Sequence, residues 1–224
     1  MDRFDELQAR YARILDDDVK LSGEDSKYFA RYKASLVKKR LGDGFSGSIL
    51  DYGCGIGLVT SFLYDLFAGS SAKVCGFDLS GASIETARLG AKGAYFTSSR
   101  RDLSDGSFDA VVVANVLHHA PLGLRRSLID DASALLKKGG TIFVIEHNPH
   151  NPLTRLIVAR SPIDRDAVML YPRQTMRLLS ESGLKELELR YIVFFPRWLK
   201  PLRVMEETLK GLPLGAQYVY TGRK

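Results

Sequence analysis

The chain has 224 residues and a formal net charge of +6, with 45% hydrophobic and 26% charged residues. These proportions exclude wholesale disorder, and the length suits one large α/β domain, or one domain with a small cap, closed on a core that needs no staples. No apolar run approaches the roughly 18 residues of a membrane-spanning helix, the start MDRFDELQAR is too polar for a secretory leader, and two cysteines, Cys54 and Cys75, are too few for a zinc cage or a disulfide framework, so a cytoplasmic location is the expectation.

Helical spacing predicts two helices at the start. Phe4, Leu7, Tyr11 and Leu15 mark one over 4–18, and Tyr28, Tyr32, Leu36 and Val37 mark another over 24–40, capped by Ser22 or Ser26. Gly42, Gly44 and Gly47 end this preface. It reads as an N-terminal helical cap, 1–44, before a main domain, 45–224. From Ser48 onward short apolar runs (48–50, 73–77, 94–97, 110–114, 141–146) alternate with helical patterns (57–68, 80–90, 121–136, 172–182). That rhythm predicts a doubly wound α/β fold with a mostly parallel sheet. A long strand over 185–195, a helix over 201–212 and a last strand over 215–222 bring the sheet to seven, the last antiparallel. The predicted 201–212 helix has Pro201 in its first turn and a stripe of Leu202, Met205, Leu209 and Leu212. Segments 150–175 and 196–213 read as insertions on the substrate side.

The strongest chemical signal is Asp51-Tyr52-Gly53-Cys54-Gly55-Ile56-Gly57, placed between a strand and a helix. Glycines there let a backbone pass close beneath a ligand. A dinucleotide fingerprint would need a sixth-place glycine, where Leu58 stands, and a phosphate loop would need Gly-Lys-Ser/Thr, which is missing. Asp78 ends the second strand, where an acid accepts both hydroxyls of a ribose. A ligand with a ribose, a positive centre and no pyrophosphate fits these residues better than NAD.

On these residues the sequence resembles the class I S-adenosylmethionine-dependent methyltransferases. Asp51, Gly53, Gly55 and Gly57 stand in for the family's first motif and Asp78 for its second. Asp105 to Val111 resembles the Ser-Phe-Asp stretch before strand four, followed by Asn115 to His119 and by the Leu-Lys-Lys-Gly-Gly turn at 136–140. The resemblance covers about 45–150, and its wording is closest to small-molecule enzymes of ubiquinone and menaquinone biosynthesis. It implies a Rossmann-like fold and S-adenosylmethionine as cofactor, with S-adenosylhomocysteine as product. It implies that Gly53, Gly55 and Gly57 pass beneath the methionine part, that Asp51 holds the loop and faces the amino group, and that Asp78 takes the ribose. It places Leu79 against the adenine and Asn115 beside the methionine moiety. Where many relatives carry Gly-Asp-Ala after strand three, this chain has Phe96 to Arg101, so a hydroxyl or a backbone carbonyl must meet the adenine amino group.

A sulfonium methyl is already activated, so aligning the acceptor supplies much of the rate, and a base helps when the acceptor is a hydroxyl or an acidic carbon. His119, Glu146 and His147 are the catalytic candidates, because they end central strands on the ligand side. His118 is expected to cap or pack. No metal is expected, since adjacent histidines are poorly aimed for one ion. Tyr28 is a candidate to close over the cofactor, and Tyr171 and Arg173 are candidates to meet an anionic substrate. Residues 190–224 hold seven basic residues against Glu206 and Glu207. With Trp198 and neighbouring aromatics they suit either a helix packed on the sheet or peripheral contact with a membrane face and a lipid-linked substrate. Nucleic acid ranks below these, for no RNA-binding module is visible. The expected function is methyl transfer to a small or lipid-linked metabolite. The alternatives are an RNA methyltransferase and a non-catalytic cofactor-binding partner subunit. The acceptor atom and the oligomeric state are left open.

Overall fold

The computed structural model describes residues 16–17, 19–91 and 93–224, so the helix expected over 4–18 lies almost wholly outside the described residues. Seven strands form one sheet: β1 (Ser48–Tyr52), β2 (Lys73–Phe77), β3 (Tyr95–Thr97), β4 (Phe108–Ala114), β5 (Leu136–His147), β6 (Lys185–Ile192) and β7 (Gln217–Arg223). Their order is β3-β2-β1-β4-β5-β7-β6. Pairing is parallel from β3 to β5, and β7 runs antiparallel to both β5 and β6. The expected seven-stranded α/β sheet with an antiparallel last strand is therefore what forms.

The helices are α1 (Ser26–Leu41), α2 (Leu58–Phe67), α3 (Gly81–Gly90), α4 (Arg125–Leu135), α5 (Pro152–Arg160) and α6 (Pro172–Glu181), with a short turn of helix at Glu206–Leu209. The central strands are apolar through their middles because helices cover both faces. The pleat sends alternate residues to opposite sides. Leu50, Val111, Val113, Ile142 and Val144 join Ile129 and Leu135 of α4 and Leu179 of α6. Ile49, Ala110, Val112 and Phe143 join Leu63 and Phe67 of α2 and Ala34 and Val37 of α1. Each fully buried Val, Leu, Ile or Phe among them contributes about 1.5–3 kcal/mol.

Three expectations are corrected. First, α1 is capped by Asp25, whose carboxylate accepts the Tyr28 N–H at 2.7 Å, and not by Ser22 or Ser26. Its buried face is Ala30, Lys33, Ala34 and Val37. Tyr28, Tyr32 and Leu36 are only half-buried, because small residues let the helix axis approach the sheet and leave the rings at its flank. Second, the 150–175 segment is not simply a long connection. Asn151 caps α5 by accepting the Thr154 N–H at 2.9 Å, and Pro152 sits in its first turn. Third, the 201–212 helix is replaced by a 3₁₀ run at Arg197–Met205 with Pro201 inside it, then Glu206–Leu209. Leu202, Met205 and Leu212 face solvent. The groups that anchor this segment are polar. Arg203 bonds Glu24 at 2.7 Å and the Phe195 carbonyl, and lies over the Tyr28 ring. Glu206 accepts the Tyr32 hydroxyl at 2.8 Å and the Phe194 N–H. These contacts tie the 194–206 segment to the first half of α1.

Candidate active site

The strand order reverses between β1 and β4, where an open α/β sheet leaves a crevice beyond its carboxyl ends. A cavity of about 460 Å³ occupies that place. One wall is the glycine loop after β1, another the 115–119 turn after β4, and α1 and residues 193–196 close it from above.

The loop conformation explains its glycines. Gly53, Gly55 and Gly57 have φ of 78°, 53° and 77°, a region that side chains disfavour. A Cβ on Gly53 would stand 2.5 Å from Val116, whereas one on Gly55 would meet nothing within 4 Å. The space above Gly55 is therefore open to a ligand. Asp78 lines the cavity and clamps this loop: its carboxylate accepts the Gly55 N–H and the Ser80 N–H, each at 2.9 Å. A carboxylate has about four acceptor positions, so two remain. Asp51 lies below the loop, 1% exposed, and accepts the Thr60 hydroxyl at 2.6 Å. Burial pushes its carboxyl up to about 6, against the Thr60 bond and the charge of Lys33. It braces the start of α2 and does not reach the cavity wall. Leu79 is 83% exposed and lies outside the wall as well. Among the hydroxyls expected to meet the adenine, that of Thr97 is bonded to Asp102.

Asn115 leaves β4 with φ 59° and turns the chain toward the cavity. Its side-chain oxygen accepts from the Lys33 ammonium and from Gln217 at 3.4 Å. Two buried polar atoms here, Asn115 Nδ2 and Gln217 Oε1, have no partner among the described residues. Burying such atoms unpaired costs about 1–3 kcal/mol each, so a donor–acceptor set of this kind fits the amino acid end of S-adenosylmethionine. Lys33 and Gln217 both line the cavity, and neither stood among the sequence candidates. Lys33 had a sequence signal: it shares the i, i+3, i+4, i+7 face with Ala30, Ala34 and Val37.

The histidines gather at the other end. His118, His119 and His147 all line the cavity. His118 is packed in the interior: its Nδ1 meets Glu146 Oε2 at 2.6 Å. Glu146 is fully buried, takes the Leu117 N–H at 2.8 Å with its other oxygen, and does not line the cavity. Burial would raise the Glu146 carboxyl, but His118 beside it holds it below the usual range. Burial would lower His118, yet Glu146 and Asp164 outweigh it and push the imidazole up to about 9. His119 is lowered by burial and by the charge on His118. His147 is lowered to about 3 by the same causes. Thus the cluster holds one charged imidazole and two neutral ones at neutral pH. His119 Nε2 stands 3.4 Å from Asp164, a residue absent from the sequence candidates. Tyr28 lines the cavity under Arg203. Tyr171 and Arg173 do not: both are exposed, and Tyr171 stacks edge-on against His150 at 5.1 Å.

A methyltransferase domain family model matches residues 49–140. A ubiquinone biosynthesis O-methyltransferase from Thiobacillus denitrificans is 30% identical over 166 residues, spanning 66% of this chain and 68% of that protein. One from Vibrio parahaemolyticus is 28% identical over 173 residues, spanning 69% and 71%. Among solved structures, a SAM-dependent methyltransferase from Thermotoga maritima superposes with a TM-score of 0.66 at 21% identity, covering 99% of this chain and 97% of that one.

Proposed function

Because the chain belongs to the class I S-adenosylmethionine-dependent methyltransferases and uses that cofactor, we propose that it methylates a hydroxyl oxygen of a small or lipid-linked acceptor held beside His119. The observation that carries this reading is the continuity of one cavity from Gly55 and Asp78, past Asn115, to His119 and His147. When bound, S-adenosylmethionine supplies a methyl group whose bond to the sulfonium breaks as the bond to the acceptor oxygen forms, the electron pair returning to sulfur.

The residues then divide the work by position. Gly55 gives the methionine chain room, while Gly53, packed on Val116, and Gly57, packed on Ala87 and Phe96, hold the left-handed turns of the loop. Asp78 holds the ribose, and the Lys33 ammonium faces the carboxylate, with Asn115 and Gln217 supplying the unpaired donor and acceptor. Tyr28 and Arg203 close the roof. His119 is neutral and half-exposed to the cavity, so its Nε2 receives the acceptor proton, and Asp164 stabilises the imidazolium that results. Glu146 acts through His118 as a positioning residue. His147 forms an uncharged wall.

Two features support the acceptor class. The relatives named above are, by name, O-methyltransferases of ubiquinone biosynthesis. Trp198, Val204 and Met205 are exposed next to Arg197 and Lys200, beyond the cavity-lining Phe195 and Pro196, a mixture suited to an anionic membrane face. Among the described residues no helix is long and apolar enough to cross a membrane.

The test is calorimetric titration with S-adenosylmethionine, followed by methyl transfer from labelled cofactor to phenols and polar lipids. Cofactor binding abolished by Asp78→Ala, with label appearing in a phenolic acceptor and lost in His119→Ala, is the expected result. Label transferred to RNA instead, with an affinity that falls steeply with salt, would replace it.

A further inference from the structure

His118 and His119 are neighbours in sequence, yet both rings reach one carboxylate. His118 Nε2 and His119 Nε2 each stand 3.4 Å from Asp164 Oδ1, and the three atoms lie within 4.8 Å of one another. On a tetrahedral ion with bonds of about 2.0–2.2 Å, two ligand atoms stand roughly 3.3–3.6 Å apart. The sharp turn that follows left-handed Asn115 is what brings the adjacent rings together, with centroids 4.2 Å apart.

The site is built, not incidental. Glu146 holds His118 Nδ1 at 2.6 Å, and both side chains are about fully buried. This occupies one ring nitrogen and aims the other at Asp164, the carboxylate–histidine arrangement that orients metal ligands. The segment carrying Asp164 is stitched to the turn carrying His118. The Val168 N–H bonds the His118 carbonyl at 2.9 Å, and buried Arg125 bonds the Val168 carbonyl at 2.6 Å. Two carboxylates, Glu146 and Asp164, flank a single buried imidazole. A proton on that ring balances one of them, whereas a divalent ion balances both.

We propose that His118, His119 and Asp164 bind a divalent transition-metal ion of the Zn²⁺ type, with its remaining position open to the cavity. Imidazole and carboxylate donors suit Zn²⁺ better than Mg²⁺ or Ca²⁺, which take oxygen ligands. Binding uses the His119 Nε2 lone pair that receives the acceptor proton, so an occupied site stops methyl transfer. That consequence rests on the function proposed above, and the ion site itself does not.

The experiment uses the purified full chain after chelator treatment. Co²⁺ is titrated and followed by its visible bands, and Zn²⁺ is titrated by calorimetry. The expected result is one ion per chain with the strong visible absorption of a low-coordinate Co²⁺. Glu146→Gln should weaken Zn²⁺ binding about 10- to 100-fold, and His119→Ala and Asp164→Asn should weaken it further. His119 is exposed, so its variant folds and keeps the test interpretable. Absence of the bands, or ion binding unchanged in both ligand variants, would overturn the site. Zn²⁺ bound at one per chain while labelled methyl still reaches the acceptor would overturn the inhibition. If no acceptor is methylated under any condition, the Co²⁺ spectrum still decides the site, so the two readings fail separately.

Discussion

The Lys33 ammonium donates to the side-chain oxygen of Asn115, joining the first helix to the turn after β4 across the cavity. Burial lowers that ammonium to about 8, against the charges of Glu146 and Asp51 that hold it up. The charged or titratable groups facing it are Asp51 on β1 and Glu146 and His147 on β5. A lysine so placed is charged at pH 7 and easily emptied of its proton above pH 8.

This pair gives a pH-dependent prediction. In the proposed function protonated Lys33 attracts the cofactor's carboxylate, and affinity for S-adenosylmethionine should then weaken as pH rises through about 8. In Lys33→Met the affinity should already be at least about tenfold weaker at pH 7 and should lack that part of the pH dependence. The cofactor's own amino group titrates in both proteins, at about 7.7–8.0, so the difference between the two titration series isolates the lysine. Stability moves the other way. The folded form holds fewer protons on this group than the unfolded chain between about pH 8 and 10, so wild-type stability rises with pH across that window relative to the variant. Calorimetry and thermal melts at several pH values measure both.

Two glycines of the same loop, Gly53 and Gly55, should fail differently. Gly55→Ala places a methyl group in open space at a left-handed φ, so it should lower stability by about 1–2 kcal/mol. Its Cβ enters the ligand's path, so cofactor binding should fall by far more than stability does. Gly53→Ala drives a Cβ to 2.5 Å from Val116, and should destabilise the fold itself. Denaturant melts beside cofactor titrations separate the two, and equal loss of binding with no difference in stability would refute the distinction.

Glu146→Gln removes the charge that His118 and the Leu117 N–H share in a fully buried place. Breaking one side of such a pair destabilises by about 3–5 kcal/mol. Because Glu146 does not line the cavity, affinity for S-adenosylmethionine should change little in whatever fraction remains folded. A large loss of cofactor affinity at unchanged melting temperature would argue for a direct role instead.

Arg203 fastens the roof through Glu24, the Phe195 carbonyl and the Tyr28 ring. Arg203→Ala should loosen 194–206 and open the cavity, raising the KM for both substrates with kcat less affected. Limited proteolysis should show earlier cutting in this segment than in the wild type.

Much of the architecture could be read locally. Alternating apolar runs announced the seven strands, because a parallel sheet covered on both faces requires continuous apolar sequence. The glycine loop and Asp78 were legible for a similar reason: a tight strand-to-helix turn and an acid at a strand end occupy fixed places in the chain. The α5 helix was not among the elements read, although Asn151 followed by Pro152 is a local start signal for it. The 3₁₀ run at Arg197–Met205 was not legible, since Leu202 and Met205 have helical spacing but face solvent. There polar anchors, Arg203 and Glu206, outweigh the apolar stripe.

The sequence by itself determined the fold class and the place of the glycine loop between β1 and α2. Tertiary structure decided which titratable groups meet. Lys33 became part of the site because small residues around it bring α1 close to the sheet. His118 became a buried partner of Glu146 because β4 and β5 run side by side, and Asp164 joined it because Arg125 and the Val168 N–H fasten a distant loop to that turn. Periodicity reports which face a residue lies on within its own element. Charge pairing depends on what another element carries to the same point in space, and no local pattern records that.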